Sequence, residues 1–228
     1  MYPDGVPLDF DTVVESNLER EMDARGTYNK VLSILNNSNP ERVLEIGSFP
    51  FVFTKKLIDN DFNVFGLDIN IESKIMNTLR CDVELEKFPF PDNYFDFVLM
   101  MDVFEHLIRN PLHSIREINR VLKSNGRLVL STPNFFALNN LISLFFTGRT
   151  KLNIANTLDI GRSSFGYMGH FREYTRNEMF DILNLCRFRI IDMYYVFGGE
   201  RNNFLGYIVT KMLSFLRNEM VFVCEKKL

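Results

Sequence analysis

The sequence predicts an α/β protein built on a Rossmann-like, doubly wound sheet. Two observations carry that expectation. Short apolar runs recur at 43–46, 64–67, 97–101 and 128–130, and stretches with helical spacing separate them. The stretch from Arg42 to Asn70 also fits a run, a turn, a helical pattern and a second run into the length of one βαβ unit.

Taken in order, residues 1–39 read as an N-terminal helical arm. Residues 1–10, with Pro3, Gly5 and Pro7, are expected to be irregular. Thr12 and Glu15 fit a capping box for a first helix that Gly26 breaks. A second helix places Tyr28, Val31, Leu32 and Leu35 on one face and dies in the Asn-rich run after Leu35. Residues 40–132 form the core. Val43, Leu44 and Ile46 make the first strand, which stops at Gly47; a helix carrying Phe51, Leu57 and Ile58 follows, and Val64 to Leu67 make the second strand, ending in Asp68. A weak third strand runs from Thr78 to Cys81, and a fourth from Phe97 to Met101. Asn110-Pro111 is a strong helix start, an N-cap followed by proline at the first helical position. Leu112, Ile115, Ile118 and Leu122 supply its buried stripe, and Asn125-Gly126 is expected to end it before a fifth strand at 128–130.

Past Thr132 the alternation is lost. Residues 133–174 read as a cap over the carboxyl ends of the strands, where open α/β sheets bind ligands. Residues 175–228 return to helices and strands: a capping box at Thr175 and Glu178, a strand from Arg189 to Val196, an amphipathic helix over 204–216 and a last strand from Met220 to Cys224. All of this fits one domain of 228 residues.

Composition narrows the function. A net charge of −3 argues against nucleic acid as a partner. Cys81, Cys186 and Cys224 are scattered and odd in number, which fits free thiols in a reducing, cytoplasmic setting better than disulfides or a zinc site. The first residues lack the order of a signal peptide, and no apolar run nears the roughly 18 residues of a membrane span. The 23 phenylalanines, without any tryptophan, suit either a core or an apolar substrate wall. The 204–216 helix is apolar enough for a membrane surface, but a core-packed helix is the expected reading.

Four segments, VLEIGS (43–48), FGLDIN (65–70), the long stretch 95–134 with its Glu-His-Leu turn, and GHFREYT (169–175), resemble the class I S-adenosylmethionine-dependent methyltransferases. The resemblance implies a seven-stranded sheet whose last strand is antiparallel, with S-adenosyl-L-methionine as cofactor. It implies that Glu45 and Gly47 order the first loop and the methionine amino group. Asp68, with Ile69 beside it, would take the ribose hydroxyls; Asp82 and Val83 would meet the adenine; Met101 would line the pocket. One departure stands out. The family's acid-x-Gly-x-Gly-x-Gly loop here reads Glu45-Ile-Gly47-Ser-Phe49-Pro-Phe51, keeping only the first glycine. Phe49 could pack near the sulfonium or act as a plug, so a second reading is open: a non-catalytic module with a weakened loop. A nicotinamide enzyme is disfavoured because Gly-x-Gly-x-x-Gly is absent there.

A methyl acceptor that is a hydroxyl needs a base, and His106, with Glu105 beside it, is the catalytic candidate. Two adjacent residues do not define a metal site, and none is assigned. His113 is expected on the solvated face of its helix. His170, Arg172 and Tyr174 form the candidate substrate-binding cluster, or a brace for the cap. Phe135, Phe136, Phe145 and Phe146, with Arg149, Lys151, Arg162 and Arg172, would suit a small-molecule or glycan acceptor in phosphate-bearing or lipid-linked form.

Overall fold

The computed structural model describes residues 26–71, 77–150, 169–197 and 204–227. The expected first helix at Thr12–Glu15, Lys151 and Arg162 lie outside them. The strands are β1 (Val43–Ile46), β2 (Val64–Asp68), β3 (Thr78–Arg80), β4 (Phe95–Met101), β5 (Leu122–Pro133), β6 (Phe188–Val196) and β7 (Glu219–Lys226). The helices are α1 (Gly26–Ser38), α2 (Val52–Asp59), α3 (Pro111–Val121), α4 (Leu138–Thr147), α5 (Arg176–Leu185) and α6 (Phe204–Met212), with short 3₁₀ turns at Phe104–His106 and Ser214–Leu216. The sheet has seven strands in the order β3-β2-β1-β4-β5-β7-β6. β1 to β5 pair in parallel, and β7 runs antiparallel between β5 and β6, as the resemblance implied.

From β1 the chain steps outward to β2 and β3, then returns to β4 on the other side of β1. The order therefore reverses between β1 and β4, and the turns that follow these two strands diverge and leave a crevice. Register pairs Glu45 with Leu99 and Ile46 with Met100, so both strands end level at that point.

Strand alternation sorts the core into two faces. On one side Leu44, Ile46, Val98, Met100, Leu128 and Leu130 pack with Ile115 and Ile118 of α3 and Met179 and Leu183 of α5. On the other, Val43, Phe97, Leu99, Met101 and Val129 meet Tyr28, Val31 and Leu35 of α1 and Leu57 of α2. The period of two along β4, read against the 3.6 period of the helices, is the pattern of a sheet covered on both faces.

Two expectations need correction, and one helix of the cap is unusually exposed. α3 ends at Val121, not at Asn125-Gly126; those two residues fall inside β5, where the register against β4 slips between Phe95 and Phe97 and Asn125 takes a left-handed φ of 66°. Asn-Gly thus makes a strand bulge here, one of the other uses of residues that tolerate positive φ. The expected core-packed helix at 204–216 is instead largely exposed: Leu205, Ile208, Met212 and Phe215 lie on the surface, while Thr210 of α6 is buried. Likewise α4, the one helix described within the cap, leaves Phe145 and Phe146 about four-fifths exposed at 83% and 77%. Among the described residues, no helix is long and apolar enough to cross a membrane. The three cysteines are free and buried.

Two hubs lock loops to this frame. Buried Asn134, at the end of β5, donates through its amide to the carbonyls of Phe215 (2.8 Å) and Arg217 (2.7 Å). Buried Glu84 accepts three backbone N–H bonds at one oxygen, from Ile108 (2.8 Å), Arg109 (2.6 Å) and Asn110 (2.9 Å), fixing the entry to α3. Hydrogen bonds to a charged group are the strong kind. Glu84→Ala is expected to lower unfolding free energy by about 3 kcal/mol, measured by urea denaturation; a change within error would show that solvent replaces this anchor without cost.

Candidate active site

The crevice between β1 and β4 opens on the loop after β1. Gly47 carries φ +74°, and a Cβ added there would come within 2.4 Å of Val103 Cγ2 in the turn after β4. Both the backbone conformation and the contact demand glycine. Phe51, at the position of the family's third glycine, itself takes φ 67°, so the loop keeps a glycine-like backbone there although the side chain has changed. The Phe51 ring is buried (3% exposed) and meets half-buried Phe49 edge-on at 5.6 Å. The helix expected to carry Phe51 begins one residue later: α2 starts at Val52, and Phe51 is its N-cap.

The predicted acids stand where their strands end. Asp68, last in β2, accepts the Phe49 N–H (3.0 Å) on one oxygen and the Asn70 N–H (2.7 Å) on the other, so it ties the β1 loop to the end of β2. Burial pushes its pKa up against those hydrogen bonds. Ile69 beside it is about half exposed. Glu45 is buried in β1 and accepts a 2.6 Å bond from the Thr54 hydroxyl of α2, a partner for which the sequence offered no signal. Desolvation raises the Glu45 pKa from 4.5 to about 8, with the neighbouring Asp68 charge adding to the rise. Asp82 is held by Arg109 at 2.5 Å and accepts the Glu84 N–H at 3.1 Å; Val83 gives its carbonyl to the Ser114 hydroxyl at 2.8 Å. Met101 is buried on the α1 side of the sheet.

A second group gathers where β4 and β5 end. Glu105 is fully buried in the 3₁₀ turn after β4 and accepts the Thr132 hydroxyl at 3.1 Å on Oε2. Its other oxygen, Oε1, has no hydrogen-bond partner among the described residues. Burial, with the Asp102 charge nearby, pushes the Glu105 pKa well up. The Glu105 carbonyl accepts the N–H groups of Phe171 (2.8 Å) and Arg172 (3.2 Å), which draws the end of the cap onto the turn. His106 Nδ1 lies 3.0 Å from the Gly169 carbonyl. A carbonyl only accepts, so Nδ1 carries the proton and Nε2 keeps its lone pair. Desolvation, then the neighbouring His170, lowers the His106 pKa and favours the neutral ring. The His106 and His170 rings meet edge-on at 5.0 Å.

The rest of the predicted cluster divides. Arg172 binds Glu178 at 2.5 Å and lies over the Tyr174 ring at 5.0 Å. Tyr174 is buried against Phe104, so its ring backs the site wall. Beside them is a cavity of about 340 Å³ lined by Phe135, Phe171, Arg172 and Glu178 among others. His113, expected in solvent, reaches the Glu86 carbonyl at 2.9 Å. The sequence placed His106 and His170 in separate roles; only folding brings them together.

Residues 44–130 match the family model described as a methyltransferase domain. An uncharacterised protein of Methanocaldococcus jannaschii is 36% identical over 81 residues, covering 34% of this chain and 35% of that protein. An uncharacterised methyltransferase of Anoxybacillus flavithermus is 24% identical over 133 residues, covering 55% of this chain and 63% of that protein. The chain thus spans about a third and somewhat under two thirds of these relatives' lengths. A SAM-dependent methyltransferase from Archaeoglobus fulgidus superposes with a TM-score of 0.58 at 18% identity, over 88% of this chain and 95% of that one. The chain has the fold of the class I S-adenosylmethionine-dependent methyltransferases, and its residues 44–130 match the model of a methyltransferase domain.

Glu45 gives a pH dependence. Its folded pKa lies above its unfolded value, so the neutral form is the one the fold prefers; that stability is fully present below pH 4.5 and is lost as pH rises through about 8. Within that window the loss is about 1.4 kcal/mol per pH unit from this group. Ligand-free Glu45→Gln protein is expected to lose less stability than the parent between pH 5 and pH 8 in denaturant titrations; parallel losses in both would show that Glu45 is not the group responsible.

Proposed function

We propose that the chain is an S-adenosyl-L-methionine-dependent methyltransferase acting on a hydroxyl oxygen of a small molecule or a glycan, including a lipid-linked form. The observation that carries this reading is the position of His106. Its ring stands in the turn after β4, at the same carboxyl end of the sheet as the loop after β1, with Nδ1 committed to Gly169 and Nε2 left to accept a proton.

The cofactor-binding roles follow from the chemistry of the crevice. Buried Glu45 and Asp68 resist ionisation in the ligand-free protein, and a cationic ligand carrying an ammonium group is what would restore their charge. Glu45 would meet the amino group and Asp68 the ribose hydroxyls, with Ile69 alongside. Asp82 and the Val83 N–H would meet the base, while Gly47, Phe49 and Met101 would shape the walls. S-adenosyl-L-methionine, when bound, supplies an electrophilic methyl group. His106 Nε2 takes the proton of the attacking hydroxyl, and Glu105 holds the turn that aims the ring. His170 and Arg172, backed by Tyr174, would border the acceptor. The exposed Phe136, Phe145 and Phe146 favour an acceptor with an apolar portion.

A second reading, a non-catalytic module, is favoured by one observation: Phe49 and Phe51 stand where the family carries glycine. Thermal melting separates the two. Ligand at a hundredfold excess over Kd is expected to raise Tm by about 5–10 °C with S-adenosyl-L-methionine or S-adenosylhomocysteine, and not with NAD. No rise with either sulfur nucleoside would select the module. Given an acceptor, His106→Ala is expected to keep the melting shift while kcat falls by about 10²- to 10⁴-fold; unchanged turnover removes His106 as the base.

A further inference from the structure

We propose that Glu105, His106 and His170 form a binding site for one divalent transition-metal ion. Each residue offers one ligand atom, and these atoms all lie within 4.8 Å of one another, close enough for a single ion to bridge them after small side-chain rotations. The chain holds only three histidines, and two of them meet here although 64 positions separate them in sequence.

The site has the marks of a built one. Glu105 is fully buried, and its Oε1 lacks a hydrogen-bond partner among the described residues. An unpartnered buried carboxylate oxygen is costly unless something satisfies it. The His106 Nδ1 proton is fixed on the Gly169 carbonyl at 3.0 Å, so the lone pair is on Nε2. Ligating histidines characteristically donate their other ring N–H to a carbonyl or a carboxylate, which fixes tautomer and orientation. His170 has such a carboxylate near it: its Nδ1 lies 3.8 Å from Glu173 Oε1, and Glu173 is itself held by the Asn140 amide at 2.5 Å. The Thr132 hydroxyl plays the matching part for Glu105 at 3.1 Å. Backbone bonds from Phe171 and Arg172 to the Glu105 carbonyl keep the His170 segment against the turn.

Two imidazoles and one carboxylate suit zinc, cobalt, iron or manganese, and not magnesium or calcium, which prefer oxygen ligands alone. Three protein ligands leave coordination positions open, as catalytic metal sites do and closed structural ones do not. The inference therefore deepens the methyltransferase reading and rests on it for one point: the open positions would take the acceptor's oxygen. The Nε2 lone pair that would accept a proton is the one that would bind the ion. With an ion bound, His106 would act as its ligand in place of acting as the base; the ion would acidify the acceptor hydroxyl, whose proton would pass to solvent.

The test uses the full chain, freed of metal by chelator. Cobalt(II) is titrated in and followed by its visible absorption, then challenged with zinc(II) or with magnesium(II) in hundredfold excess. The expected result is one equivalent of cobalt displaced by zinc and not by magnesium. His170→Ala and Glu105→Gln should each weaken cobalt binding at least tenfold, and His113→Ala should leave it unchanged. Absence of a bound equivalent, displacement by magnesium, or equal affinity in His170→Ala would overturn the site. His170 is only partly buried, so its variant decides the matter if Glu105→Gln does not fold. Melting with S-adenosyl-L-methionine, run on the same samples, keeps the two readings apart: a cofactor shift without ion binding rejects the ion site alone, and ion binding without a cofactor shift rejects the methyltransferase reading alone.

Discussion

One buried glutamate ties the turn after β4 both to the end of β5 and to the cap. Glu105 reaches Thr132 at the end of β5 with its side chain and takes two N–H groups from the cap with its carbonyl. Three parts of the chain far apart in sequence therefore converge on one residue. Burying a carboxylate is unfavourable without partners, and Glu105 keeps one oxygen without them among the described residues. A position that served packing alone would be filled more cheaply by an apolar side chain. The arrangement sacrifices local stability at the mouth of the sheet, where open α/β folds place their chemistry.

The neighbouring crevice follows the same logic with different groups. Asp68 stitches the β1 loop to the end of β2, while Glu45 leans on Thr54 of α2. Both acids are surrounded by apolar material that discourages charge. The two acids lie at the ends of neighbouring strands, and both are pushed toward the neutral form. The altered glycine loop is less disruptive than its letters suggest, because Phe51 takes the left-handed backbone that glycine would have taken. That conformation costs a non-glycine residue about 1–3 kcal/mol, and the burial of the Phe51 ring offsets part of it.

Much of the fold was legible because its signals are local. Apolar runs located β1, β2 and β4 to within a residue or two, Asn110-Pro111 marked the start of α3, and Thr175 with Glu178 marked that of α5. The misreadings came from residues with more than one use. Asn125-Gly126 serves positive φ equally well at a helix end or in a strand bulge, and only pairing with β4 decides which. The apolar spacing of 204–216 gives no hint that its helix has little to pack against. At the site, strand-end acids could be named because the fold class fixes where strands end. The encounter of His106 with His170 could not, since it depends on how the cap folds back over the sheet. Nor could the anchoring role of Glu84, whose three backbone partners lie more than twenty residues away.

The close approach of Gly47 to Val103 binds two loops to a shared history. The space between them is smaller than a methyl group. A bulkier residue on either side requires a smaller one on the other, or a shift of the turn that carries His106. The loop that would hold the methyl donor and the turn that would receive the acceptor therefore cannot drift apart in sequence independently, and change in one should leave a compensating mark in the other.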